Sequence, residues 1–172
     1  MRLCGLVLLA ASGLLGCGDP AGVVRVHFAL SPPTAVDFGG LTPPPVDPLA
    51  LSRAQGSIEA TPPTNHLVGS FAGLPPAPGD PYLVYRFWLS PSSTGGSWAH
   101  AADVNPNASG AGFAHVRQTD VALRIASIRS AMLTLDPPDA TGPSTTIILA
   151  GAAAEQSADD HVDAGGGGGH MH

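Results

Sequence analysis

The sequence predicts an all-β fold, a sandwich or a barrel, and three observations carry that prediction. Short apolar runs rich in β-branched and aromatic residues recur at intervals of roughly 8–12 residues. Turn residues separate them: Pro-Pro, Gly-Asp-Pro, Ser-Thr-Gly-Gly and Asn-Ala-Ser-Gly. The 172-residue chain also carries 22 Gly and 18 Pro, a density that works against long helices.

The first candidate strand lies in residues 22–30, where Val24, Val26 and Phe28 alternate with Val23, Arg25 and His27. Residues 31–55 then hold six prolines. Proline fixes φ and lacks a backbone donor, so this stretch is neither helix interior nor central strand. It is expected as a long surface loop of polyproline character, with a Pro-rich ligand for an aromatic groove as the alternative. Further strands are expected at 57–60, 66–71, 82–89, 97–104, 111–117, 121–126, 131–135 and 145–150. The strand 82–89, YLVYRFWL, is the densest in aromatic and β-branched residues. Val121, Ile125, Ile128, Met132 and Leu135 also fit helical spacing. The alternation around Thr134 favours two strands joined near Ser127–Ser130. Residues 151–172 carry four acids, no Arg and one branched apolar residue, Val162. Such a segment cannot bury enough surface to offset its ordering entropy, so a disordered acidic, Gly/His-rich tail is expected. The sandwich domain is thus bounded at 22–150.

Charge and composition exclude several functions. The chain has no Lys, and its seven basic residues are all Arg against 13 acids. A Walker-type phosphate loop and a Schiff-base enzyme both need a Lys. A net charge of -6 argues against binding nucleic acid through phosphate neutralisation. No Gly-x-Ser-x-Gly elbow or His-Glu-x-x-His pattern occurs. Gly110-x-Gly112 lacks the third glycine of a dinucleotide loop. Asp136 and Asp139 could stand as paired carboxylates, but Pro137-Pro138 between them points to a turn. A non-enzymatic protein is the expectation.

Residues 1–17, MRLCGLVLLAASGLLGC, combine Arg2 with an apolar run too short to span a bilayer, which needs about 20 residues. Leu14-Leu15-Gly16-Cys17 resembles the lipobox of bacterial lipoproteins. That resemblance implies a signal peptide over 1–16, a lipid on Cys17 and a short tether over 17–21. Several acyl chains on one residue make a stable anchor where one chain is marginal. It also implies a palmitate-bearing protein of the bacterial cell membrane, periplasmic or surface-exposed, with the outer membrane favoured over the inner. Cleavage would remove Cys4 and acylation would occupy Cys17, leaving no thiol for a disulfide, a cysteine nucleophile or a zinc cluster.

A second resemblance covers roughly residues 82–151. Tyr85-Arg-Phe-Trp88-Leu89, Ser109-Gly110-Ala-Gly112-Phe113, Leu133-Thr134-Leu135-Asp136-Pro137, Gly142-Pro143-Ser144 and Ile147-Ile148-Leu149-Ala150-Gly151 follow one another here. In that order they are similar to the extracytoplasmic C-terminal domain of the anti-sigma-K factor family. Asp136 stands where that family has Glu. The resemblance implies an immunoglobulin-like antiparallel β-sandwich on the periplasmic side. An interaction module that docks to an envelope protein partner through an exposed edge strand or its loops is the separate expectation for that sandwich. Without a sigma-binding segment or a transmembrane helix, it does not imply sigma-factor inhibition.

One constellation suits a metal: His161 after Asp159-Asp160, then His170-Met171-His172. Imidazoles and a thioether suit Cu or Zn, and five glycines would let His161 fold back onto the others. The alternative is a solubilising tail with incidental histidines and no cofactor. His100 and His115 flank the Asn105–Gly112 turn and are expected on neighbouring strands, where they could face each other.

Overall fold

The structure, a computed structural model, describes residues 26–40, 42, 44–61, 65–76 and 83–153. The signal segment, Cys17 and the tail with His161, His170, Met171 and His172 lie outside the described residues.

Eight strands run through these residues: β1 (Val26–Leu30), β2 (Gln55–Thr61), β3 (His66–Ala72), β4 (Val84–Ser90), β5 (Ala99–Val104), β6 (Gly112–Arg117), β7 (Ser130–Asp136) and β8 (Ile147–Ala152). They form two antiparallel four-stranded sheets, ordered β1-β2-β3-β6 and β5-β4-β7-β8. The chain changes sheet three times, between β3 and β4, β5 and β6, and β6 and β7. This is the Greek-key crossing of an immunoglobulin-like sandwich.

The core lies between the sheets because alternate residues of each strand point there. From the first sheet come Phe28, Leu30, Ile58, Ala60, Leu67, Phe71, Ala114 and Val116; Tyr85, Phe87, Leu89, Ala131, Leu133 and Leu135 face them, joined by the consecutive Ile148 and Leu149 where the β7–β8 register shifts. Phe71 and Phe87 meet edge to face across the gap, with centroids 5.5 Å apart, the packing their ring quadrupoles prefer. The Tyr85 hydroxyl donates to the Pro75 carbonyl at 3.2 Å, and burial pushes this phenol well above its ordinary range.

Glycines set how closely the layers approach. A Cβ on Gly112 would sit 2.6 Å from Val104 Cγ1 of the opposite sheet. Gly110, at φ 79°, adopts a left-handed turn conformation, and a Cβ there would press on the Leu74 carbonyl at 2.7 Å.

Two expectations need correction. No strand forms over 121–126. Two single 3₁₀ turns, Gln118–Asp120 and Ile125–Ser127, occupy the connection instead. Val121, Ile125 and Ile128 are all buried in the core cluster, so their near-helical spacing serves a coiled plug. The Gln118 side chain holds this plug, donating to the Leu123 carbonyl and accepting from the Ile125 amide. The Pro-rich loop over 31–55 also contains more structure than expected. Asp47 caps a one-turn helix, α1 (Pro48–Leu51), with proline in its first turn. Val46 and Leu51 from this loop enter the core. Ser31 then exchanges two backbone hydrogen bonds with Ala150, joining the β1 edge to the β8 edge.

Candidate functional site

An antiparallel sheet commonly leaves one face to water. The outer face of β5-β4-β7-β8 departs from this. Arg86, Trp88 and Ser90 of β4 and Ser130, Thr134 and Asp136 of β7 point away from the core, yet all are buried. Register explains their meeting. Arg86 lies opposite Thr134 on one side and Asp103 on the other, while Trp88 lies opposite Met132 and His100. A bulge in the β4–β5 pairing at Phe87/Trp88 lets His100 and Asp103, three residues apart, reach toward the same point.

The chemistry of this layer is a continuous hydrogen-bond network. Trp88 Nε1–H is shared between Thr134 Oγ1 and Asp136 Oδ2, each at 2.8 Å. The Thr134 hydroxyl donates to the same carboxyl oxygen. Asp136 Oδ1 accepts the Ser144 amide at 2.9 Å, and the Ser144 hydroxyl donates to the Leu135 carbonyl at 3.1 Å. Arg86 lies over the Trp88 ring at 5.1 Å, a cation–π distance. Its Nη1 donates to the Ala140 carbonyl at 2.6 Å, and its Nε to Asp103 Oδ1 at 3.2 Å. His100 Nε2 contacts that same Oδ1 at 2.9 Å, and its ring meets the Trp88 ring edge-on, with centroids 5.4 Å apart. The 137–146 connection is therefore fastened to the sheet from both ends, by Arg86 and by Asp136.

Among the described residues, no buried side-chain nitrogen or oxygen lacks a hydrogen-bond partner. The layer is thus saturated internally, while His100 and Asp103, with side chains 36% and 45% exposed, present polar atoms to solvent. The Asp103 oxygen that holds His100 also holds Arg86, so the trio works as a clasp over the sheet edge.

Of the residues marked from sequence, Asp136 closes β7 as a buried acceptor, while Asp139 is exposed in the following loop. His100 and His115 do not face each other: they lie in different sheets, His100 against Trp88 and His115 against His66. The described residues contain no convergent group of three His, Cys, Asp or Glu side chains. Cys17, His161, His170, Met171 and His172 lie outside them. Sequence reasoning passed over Arg86 and Asp103. The signal for Arg86 was a lone charge inside the most aromatic strand, on the Trp88 side of its alternation.

The network links stretches far apart in sequence, through Trp88, through Thr134 and Asp136, and through Ser144. No family model, no curated protein and no solved structure matches the chain.

Proposed function

We propose that this is a lipid-anchored, non-enzymatic cell-envelope protein. Its sandwich acts as a binding or structural module similar to an anti-sigma-K extracytoplasmic domain without the sigma-binding part. The observation that carries the reading is the Leu14-Leu15-Gly16-Cys17 motif standing eight residues, 18–25, ahead of the first strand. That spacing gives an acylated Cys17 a short tether, and the sandwich a position close to the bilayer. Among the described residues no helix is long and apolar enough to cross a membrane, so on this reading the acyl chains supply the attachment.

The saturated polar layer supports a module that holds a fixed shape. Envelope partners would meet its solvent-facing rows, including the edge of β6, which pairs only with β3 among the described residues. The test is metabolic labelling with a palmitate analogue, followed by membrane fractionation. The native chain is expected to take the label and sediment with membranes. Cys17→Ser is expected to lose the label and leave the membrane fraction. A Cys17→Ser protein that sediments like the native one overturns the anchor.

A further inference from the structure

The face of the first sheet turned away from the core carries three histidines. Cross-strand register sets His27, Glu59, Val68 and His115 in one row and Thr61, His66 and Arg117 in the next. His66 and His115 are therefore diagonal neighbours on β3 and β6. Their rings stack, with centroids 5.9 Å apart and planes 18° from parallel. His115 is exposed and His66 is half-buried.

We propose that His66 and His115 form a two-imidazole site for a divalent first-row transition ion of the Cu(II) or Zn(II) class. Two imidazoles bound to one ion through bonds of about 2.0–2.1 Å, at a tetrahedral angle, have ring centroids about 5 Å apart. The observed separation is within 1 Å of that value. Near-parallel rings cannot both aim a lone pair at one point. The terminal torsion of a histidine is broad, however, so a modest turn of each ring brings a nitrogen of each to the ion. The two Cα positions are fixed by a six-pair ladder between β3 and β6, so little chain entropy is lost on binding. Borderline-soft imidazole ligands select Cu and Zn over Mg or Ca. Two protein ligands leave the remaining coordination positions open to water or to a donor from a partner. Arg117, opposite His66, disfavours a cation, and Glu59, diagonal to His66 on β2, is an acid on the same face. This site lies on the sandwich and is independent of the lipid anchor.

The test uses the mature full-length chain with His161, His170 and His172 replaced by alanine, so that the tail supplies no imidazole. Cu(II) is the probe, and paramagnetic broadening of histidine ring signals is the readout. Substoichiometric Cu(II) is expected to broaden His66 and His115 while His27 and His100 stay sharp. Either His66→Ala or His115→Ala, with unchanged circular dichroism, is expected to weaken Zn(II) binding by calorimetry at least tenfold. Equal broadening of all four histidines, or Zn(II) affinity unchanged in His115→Ala, overturns the site.

Discussion

Asp136 shows how one side chain can organise a surface. It is fully buried, and its two oxygens take hydrogen bonds from Trp88, Thr134 and the Ser144 amide. Asn in its place must turn an NH₂ toward one of those donors whichever way its amide is flipped. Asp136→Asn is expected to lower unfolding free energy by about 2–4 kcal/mol, the range for leaving buried polar groups unpaired, measured by urea denaturation. Tyr85 gives a second prediction. Its phenol titrates higher in the folded chain than in the unfolded one. Its contribution is therefore intact below the unfolded value, about 10, and is lost as pH rises beyond it. Alkaline denaturation should start above about pH 10, and Tyr85→Phe should weaken that limb. A phenolate signal from Tyr85 in the folded protein near pH 10 would contradict it. Neither residue's role was legible beforehand. The YRFW alternation marks Tyr85 and Phe87 for one side and Arg86 and Trp88 for the other, but it does not reveal that both sides are buried. Arg86 is met by the Pro137 and Ala140 carbonyls and Trp88 by Thr134 and Asp136, all about fifty positions away, and local pattern carries no record of that.

Elements were legible where local chemistry and packing agree. β6 alternates Gly112, Ala114 and Val116 inward with Phe113, His115 and Arg117 outward, and its period-2 pattern is enough to place it. The 121–128 segment was misjudged because Val, Leu and Ile support a strand or a buried turn equally well. The deciding bonds come from Gln118, outside the apolar run. Asp120 stabilises the same connection by accepting the Arg117 amide at 3.0 Å. That bond, followed by the Thr119 hydroxyl, holds its carboxyl below the usual carboxylate range. The turn is therefore supported above the unfolded Asp value, and the support fades as pH falls through the depressed one. An NMR titration should find Asp120 more acidic than a model Asp, and Asp120→Asn should leave the Gln118–Asp120 amides exchanging faster. The β5–β6 approach offers a sharper test. Gly112→Ala forces a methyl against Val104 and should cost about 1–3 kcal/mol, as overpacking does. It should cost less when Val104 is already Ala; equal costs in the two backgrounds would show that the sheets can move apart there.

At the scale of the whole molecule, one apolar cluster joins both sheets with Val46 and Leu51 of the Pro-rich loop and Val121, Ile125 and Ile128 of the plug. Unfolding should accordingly be a single cooperative transition. Leu67→Ala in one sheet and Leu133→Ala in the other should each cost about 2–5 kcal/mol, and each should move circular dichroism and tryptophan fluorescence together. Separate midpoints for the two probes would indicate that the sheets melt independently. The sandwich as a class was visible from strand spacing and turn residues, while the closure of one side by Ser31 and Ala150 was not, because a lone bridge leaves no trace in composition. That closure has a mechanical meaning. β1 and β8 run antiparallel at the junction, so the first residue of β1 and the last of β8 lie toward the same end of the sandwich. Ladder hydrogen bonds lie across the strands, so a pull on the segment before Val26 along the strand axis loads the five β1–β2 pairs and the Ser31–Ala150 clasp in shear, all at once. A protein tethered there and held at its far end would resist as a bolt does, where a hairpin pulled from its open end would give way one rung at a time.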